Sequence, residues 1–190
     1  MVGKKINTLI LGIGNDILTD DGVGPRLCDF LKEEFKNTSV NFEKLNVGGL
    51  EVLEFIQGYQ TVIFIDAIKT HDGQIGDVYF FTPGDFRETL HLSNLHDTSF
   101  LTALKLGNLI GFKIPERMYI IAVEIKEDMV FSEHFTDELA RKYNKIKKEV
   151  VAILNRLIPH ETTMRKSSTH KRMIIGSSIR PLKTNYLRMK

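Results

Sequence analysis

Two hydrophobic patterns alternate along the chain. Nearly continuous apolar runs predict strands, and segments with apolar residues every three or four positions predict amphipathic helices. Strands are predicted at 6–11, 40–43, 61–66, 78–81 and 118–125, and helices at about 25–36, 50–57, 98–110 and 135–157. The strongest runs lack polar alternation, which is typical of strands covered on both faces. The order of the elements therefore predicts a three-layer α/β/α sandwich with a mostly parallel central sheet.

This regular pattern stops near Pro159, where Ser, Thr, Lys and Arg become dominant. We expect an α/β domain at 1–158 and a poorly ordered basic tail at 159–190. The tail has eight Lys or Arg residues and one acidic residue, so its net charge is +7. The whole chain has a net charge of only +2, and the net charge of the body, residues 1–158, is therefore −5. The body thus shows no sign of a nucleic-acid surface, and the tail is either a solvated extension or a dock for an acidic partner.

The overall composition, 42% hydrophobic and 26% charged, is that of an ordinary globular protein. No apolar run reaches the length of a membrane span, and the first residues do not resemble a signal peptide. The single cysteine, Cys28, can form no internal disulfide and lies among apolar residues of the first predicted helix. We therefore expect a cytoplasmic protein without a membrane span, in which Cys28 has a packing role.

The connection between the first strand and the first helix carries two adjacent carboxylates. Gly12 and Gly14 fit a sharp turn at the end of a buried strand, and Pro25 suits the first helical position. Asp20 and Asp21 then lie in a loop at the carboxyl end of the strand, where open α/β sheets bind ligands.

This connection has two other interpretations. An Asp ahead of a helix often caps it or complements its dipole, although one cap needs only one carboxylate. The turn also partly matches a dinucleotide-binding fingerprint. That match fails because Ile17 stands in place of the third glycine, and two carboxylates would repel a pyrophosphate.

Three potential metal ligands lie next to three separate elements. Asp21 comes after the first strand, Asp66 lies at the end of the third strand, and His96 lies just before a helix. In a parallel sheet these three side chains could lie at the same edge. Two carboxylates and an imidazole are suitable ligands for a divalent transition metal. Alternatively, Asp66 satisfies backbone donors after its strand, and His96 is a surface or capping residue. His91 is close enough to compete with His96.

The remaining ionisable residues change the picture little. His71 and His134 are interpreted as surface positions, whereas Glu124 and Glu127, near the end of the last strand, could flank the same crevice or face solvent. No HExxH helix and no Ser/His/Asp or Cys/His nucleophile block is evident in the sequence.

Four short blocks stand out when the chain is viewed as a whole. They are Gly12-x-Gly14-Asn15-x-x-x-x-Asp20-Asp21-Gly22-x-Gly24, Gly48-Gly49-Leu50, Ile65-Asp66-Ala67, and His96-Asp97 ahead of a Leu/Ala-rich helix. In order and spacing, from Ile6 to Leu157, the chain resembles the hydrogenase maturation proteases. These endopeptidases trim the C-terminal extension from the large subunit of nickel–iron hydrogenases.

The resemblance implies a protease whose partner is the hydrogenase large-subunit precursor. It implies that Asp21, Asp66 and His96 are the catalytic and metal-contacting residues, that the nickel is held by the precursor, and that no organic cofactor is needed. Asp20 is a candidate positioning residue or general base. Val47 stands where many members carry an Asp, and the basic tail has no counterpart in the resemblance.

Two other classes of function stay open. One is a different hydrolase on a similar sheet, such as a peptidyl-tRNA hydrolase, whose first turn is similar but whose later His-Asn block is absent here. The other is a non-catalytic metal-sensing or chaperone module that binds the large subunit without cutting it. No feature of the sequence predicts an oligomeric state.

Overall fold

The computed structural model describes residues 8–36, 38–46, 50–83 and 95–158, without the side chains of 95–101. The elements are β1 (Thr8–Ile13), a 3₁₀ turn (Thr19–Gly22), α1 (Val23–Glu34), β2 (Val40–Leu45), α2 (Glu51–Ile56), β3 (Thr61–Ile68), β4 (Val78–Phe81), α3 (Leu95–Leu109), β5 (Arg117–Glu124) and α4 (Asp137–Leu157). No helix in these ranges has the length and apolar character that crossing a membrane requires. Gly48, Gly49, His91 and the predicted tail 159–190 lie outside the described residues.

A five-stranded sheet in the order β2-β1-β3-β5-β4 forms the centre of the described chain. Strands β2, β1, β3 and β5 are parallel, and β4 is antiparallel to β5. The mostly parallel sheet is therefore confirmed. Strand β4 runs backwards because the connection 69–77 is too short for a parallel crossover, which needs about a dozen residues or more.

Apolar side chains cover both faces of the sheet. One face packs against α1 and α4, with Leu27 and Ile146 fully buried between the layers. The other face packs against α2 and α3 through Leu53 and Leu104. Full burial of one such side chain contributes about 1.5–3 kcal/mol, so the two cores together hold the three predicted layers in place.

Helix α3 begins at Leu95, three residues earlier than the predicted start near 98. His96 therefore lies in the first turn of the helix and not just before it, which corrects the prediction.

Strand β3 continues past the predicted end at 66. Ala67 and Ile68 still pair with β5, opposite Val123 and Glu124. Asp66 consequently lies within the last part of the strand and not at its final residue. Sequence alone did not show this because the extension depends on pairing with a strand more than fifty residues away along the chain.

Candidate active site at the carboxyl edge of the sheet

The turn after β1 folds back on itself and brings Asp21 against the strand end. Gly14 has a φ of +132°, a conformation that favours glycine, and a Cβ there would lie 2.1 Å from the backbone oxygen of Asp21. The N–H of Asn15 donates a hydrogen bond of 2.7 Å to Asp21 Oδ2. Asp21 is only 7% exposed, so its carboxylate is held in one position close to the end of β1.

A close approach of α1 to the strands places this turn beside β3. Helix α1 starts at Val23, two residues before the predicted Pro25. A Cβ on Gly24 would lie 2.1 Å from the backbone oxygen of Ile13 and 2.6 Å from that of Ile65, so only glycine fits between the helix and the two strands. The 3₁₀ turn that carries Asp21 contacts β3 as a consequence.

Asp66 is the candidate ligand on β3. It is partly buried, and its Oδ1 accepts a hydrogen bond of 2.8 Å from the N–H of Ala67. The backbone bond matches the alternative in which Asp66 satisfies a nearby donor. Asp21 and Asp66 thus belong to contacting elements at one edge of the sheet.

His96 is placed only by its backbone, in the first turn of α3. Helix α3 is followed along the chain by β5, which begins at Arg117. Among the described side chains, no three His, Cys, Asp or Glu residues form a group that could hold a metal ion, and the side chain of His96 is not in that set. The three-residue metal site therefore stays a prediction.

Asp20 is fully buried and accepts four hydrogen bonds from a distant part of the chain. The backbone N–H and the hydroxyl of Thr136 donate at 2.8 and 2.9 Å, and the N–H groups of Lys126 and Glu127 donate at 3.4 and 3.3 Å. This carboxylate joins the turn after β1 to the loop 126–136 that connects β5 with α4. Such a contact set suits a residue that positions its neighbour Asp21.

The same two loops are joined by their backbones. Leu18 forms a β-bridge with Ser132, and the N–H of Thr19 donates a hydrogen bond of 3.0 Å to the Ser132 oxygen. Thr19 has a φ of +48°, which is unusual for a β-branched residue and costs about 1–2 kcal/mol. Its hydroxyl donates to the oxygen of Val130, so tertiary contacts hold this strained residue in place.

Apart from Glu127, which was considered as a residue that could flank the crevice, the residues of the loop 126–136 were not predicted as part of the site. The one usable signal was Thr136 ahead of a long amphipathic helix, which marks an N-cap, and its hydroxyl does accept from the N–H of Leu139 at 3.5 Å. Its second role, as a donor to Asp20, joins residues 116 positions apart and has no sequence signature.

Glu124 neither faces solvent nor opens into a crevice, because it is only 2% exposed at the end of β5. Its carboxylate accepts hydrogen bonds from the N–H and the hydroxyl of Thr70 at 2.7 and 2.9 Å, and from the hydroxyl of Tyr79 at 3.0 Å. Burial raises the pKa of Glu124, and the hydrogen bonds from Thr70 and Tyr79 oppose that effect. Glu127 is partly buried, and its Oε1 accepts from the N–H groups of Met129 and Val130.

Three further predictions concern residues outside the site. His71 and His134 are exposed, as predicted. Cys28 is buried, and its thiol donates to the backbone oxygen of Glu43 at 3.2 Å. Burial raises the pKa of this thiol to about 11, so the packing role is confirmed and a thiolate nucleophile is disfavoured.

Comparison with known proteins gives a consistent family. The model of the family described as "HycI: Hydrogenase maturation protease" matches residues 25–153. The hydrogenase expression/formation protein HupM of Azotobacter chroococcum mcd 1 is 25% identical over 138 residues, which are 67% of this chain and 61% of that protein. HupD of Rhodobacter capsulatus is 28% identical over 134 residues, 64% and 58% of the two chains. The chain thus spans about three fifths of the length of these curated relatives.

Solved structures show the same fold. The hydrogenase maturating endopeptidase HybD from E. coli superposes with a TM-score of 0.61 at 20% identity, covering 83% of this chain and 99% of that one. The [NiFe] hydrogenase maturation protease HybD from Thermococcus kodakarensis gives a TM-score of 0.61 at 24% identity, covering 77% and 98%. Because the family model matches well over half of the chain, the protein belongs to the hydrogenase maturation protease family.

Proposed function

We propose that this protein is an endopeptidase that removes the C-terminal extension from a nickel-loaded precursor of a hydrogenase large subunit. Membership of the maturation protease family, over residues 25–153, is the observation that carries this proposal. We place the reaction in the cytoplasm. The lone cysteine, which can form no internal disulfide, fits a reducing compartment.

Asp21, Asp66 and His96 are assigned to the contact with the nickel. The assignment is supported by the 3₁₀ turn of Asp21, which contacts the strand of Asp66 at the carboxyl edge, where α/β sheets bind ligands. Three protein ligands leave positions on the nickel for groups of the precursor that carries it. A metal held there would polarise a peptide carbonyl or would lower the pKa of a bound water, and either effect would promote hydrolysis.

The remaining groups have supporting roles in this scheme. The carboxylate of Asp20, occupied by donors from Thr136 and the loop 126–136, holds the turn that presents Asp21. Asp21 itself is oriented by the N–H of Asn15. A carboxylate oriented before the substrate arrives loses little conformational freedom on contact with the metal, which favours binding.

The test uses purified precursor with and without nickel, incubated with the wild type and with Asp21→Asn, Asp66→Asn and His96→Ala. Mass spectrometry of the precursor measures loss of the C-terminal extension. We expect the wild type to cut only the nickel-loaded precursor. Each variant should be slower by more than about 100-fold, since even the outer partners of metal ligands are worth 10- to 100-fold.

Matched controls are available on the surface. Asp29→Asn removes an exposed carboxylate on α1, and His71→Ala removes an exposed imidazole, so both should cleave at the wild-type rate. If the variants Asp21→Asn, Asp66→Asn and His96→Ala cleaved the precursor at the wild-type rate, the assignment of these residues to the site would be wrong. If the wild type bound the precursor but never cut it, the proposed protease activity would be wrong, and a non-catalytic binding module would be favoured.

A further inference from the structure

Four exposed apolar side chains lie on the two loops that adjoin Asp21. Ile17 is 47% exposed on the turn after β1, and Met129, Val130 and Phe131 are 78%, 55% and 78% exposed on the loop after β5. We call these four residues the apolar loop surface. Single exposed apolar residues are common on proteins, but a contiguous group of them marks an interaction site.

The backbone beneath this surface is firmly held. The N–H groups of Met129 and Val130 donate to Glu127 Oε1 at 2.8 and 3.1 Å. The N–H of Ser132 donates to the oxygen of Ile17 at 2.9 Å, which ties the two loops together. Because the side chains already stand on an ordered backbone, a partner that covers them loses less free energy to ordering than it would on a mobile loop.

Two acidic residues beside the surface have partners within the protein. Glu127 accepts hydrogen bonds from its own loop, and Asp128 forms an ion pair with Lys69. A partner that covers the apolar side chains therefore needs an apolar segment and not a charged one, since burying an unmatched charge against this surface would be costly.

The surface is continuous with the candidate active site. Ile17 lies on the same turn as Asp20 and Asp21, and the Asp20 carboxylate accepts from the N–H groups of Lys126 and Glu127 at the base of the other loop. The apolar loop surface therefore adjoins the turn that carries Asp21.

We propose that Ile17, Met129, Val130 and Phe131 form a docking surface for an apolar segment of the large-subunit precursor, next to its cleaved extension. This inference rests on the proposed function. The surface acts on affinity, so its loss raises KM or Kd and leaves the rate of cleavage at saturating precursor unchanged.

The test compares Phe131→Ser and the pair Met129→Ser with Phe131→Ser against Leu109→Ser. Leu109 is 82% exposed at the end of α3, away from the carboxyl edge, so it controls for the loss of one exposed apolar side chain. Binding of nickel-loaded precursor is titrated by calorimetry, and cleavage is followed in parallel. We expect Kd and KM to rise at least about tenfold for the loop variants, to stay within about twofold for Leu109→Ser, and kcat to be retained.

The outcomes separate this inference from the proposed function. A wild type that cleaves the precursor, with loop variants of equal affinity, overturns the docking surface alone. A wild type that binds through the surface but leaves the precursor intact overturns the proposed cleavage alone. A wild-type dimer that Phe131→Ser dissociates, with unchanged affinity for the precursor, shows instead that the surface binds a second copy of the chain.

Discussion

The carboxylate of Asp20 and the side chain and backbone of Thr136 are joined by two hydrogen bonds across 116 residues of sequence. Thr136 is also the N-cap of α4, so one residue connects the turn after β1 to the longest helix described in the chain. Hydrogen bonds to a buried charged group are stronger than those between neutral groups. This contact therefore holds the position of Asp21 through its neighbour.

Replacing Asp20 with Asn should destabilise the protein by about 1.5–3 kcal/mol, because an amide is a weaker acceptor and its NH₂ would face other donors. Urea denaturation measures the change. Thr136→Ala should lower stability as well, and the double variant should lose less than the sum of the two, because the residues are in contact. If the double variant lost as much stability as the two single variants together, Asp20 and Thr136 would not be energetically coupled. Asp29→Asn, which removes an exposed ion pair with Lys44, should change stability by less than about 1 kcal/mol.

Gly24→Ala should destabilise the protein by about 2 kcal/mol or more, although alanine favours helices by about 1 kcal/mol over glycine. The cause is the new Cβ, which would meet the backbone oxygens of Ile13 and Ile65 and push α1 away from the strand ends. Gly58→Ala is the control, because its φ is +87° and no atom lies within 4 Å of the new Cβ. The Gly58→Ala variant should lose only about 1–2 kcal/mol of stability, because of backbone strain at this positive φ. A smaller loss at Gly24 than at Gly58 would contradict the close approach.

Glu124 should make stability depend on pH. Burial raises the pKa of Glu124 in the folded state above 4.5, so the folded protein binds this proton more tightly than the unfolded chain does. The contribution to stability is complete below pH 4.5 and is lost as the pH rises through the raised pKa. The Glu124→Gln variant has no carboxyl group to ionise at this position and does not lose this stability. The stability of the variant relative to wild type should therefore increase between pH 4.5 and neutrality.

Thermal unfolding of both proteins at a series of pH values measures this difference. Glu33→Gln, which removes an exposed carboxyl group on α1, is the matched control for the substitution. A difference between Glu124→Gln and wild type that stays constant with pH would show that the buried carboxyl does not titrate in this range.

The Cys28 thiol should resist alkylation in the native protein. With a pKa of about 11, only about one thiol in a thousand is ionised at pH 8, and the side chain is 2% exposed. Iodoacetamide should therefore modify the folded protein at least about 100-fold more slowly than the protein in urea, as followed by intact mass. Rapid modification of the native protein would show that the thiol is reachable and would reopen a role for it.

Much of the architecture could be predicted because apolar runs and helical periodicity are local properties. The buried strands around Ile63 and Ile121 and the apolar stripe of α4 all follow from such patterns. The direction of β4 did not, because it also depends on which strand β4 pairs with, and that strand is β5. The end of β3 was likewise set by pairing with β5, so Asp66 lies inside the strand.

The sequence by itself determined the layered α/β fold, the glycine turn before Asp20 and Asp21, and the family, and it predicted Asp21, Asp66 and His96 as the site. Only the tertiary structure decided that Asp20 is enclosed by Thr136 and the loop 126–136, that Glu124 is buried, and that apolar side chains flank the turn of Asp21. The physical reason is that local patterns record which face of an element is buried. Hydrogen bonds between distant loops form only when the packed sheet brings their ends together.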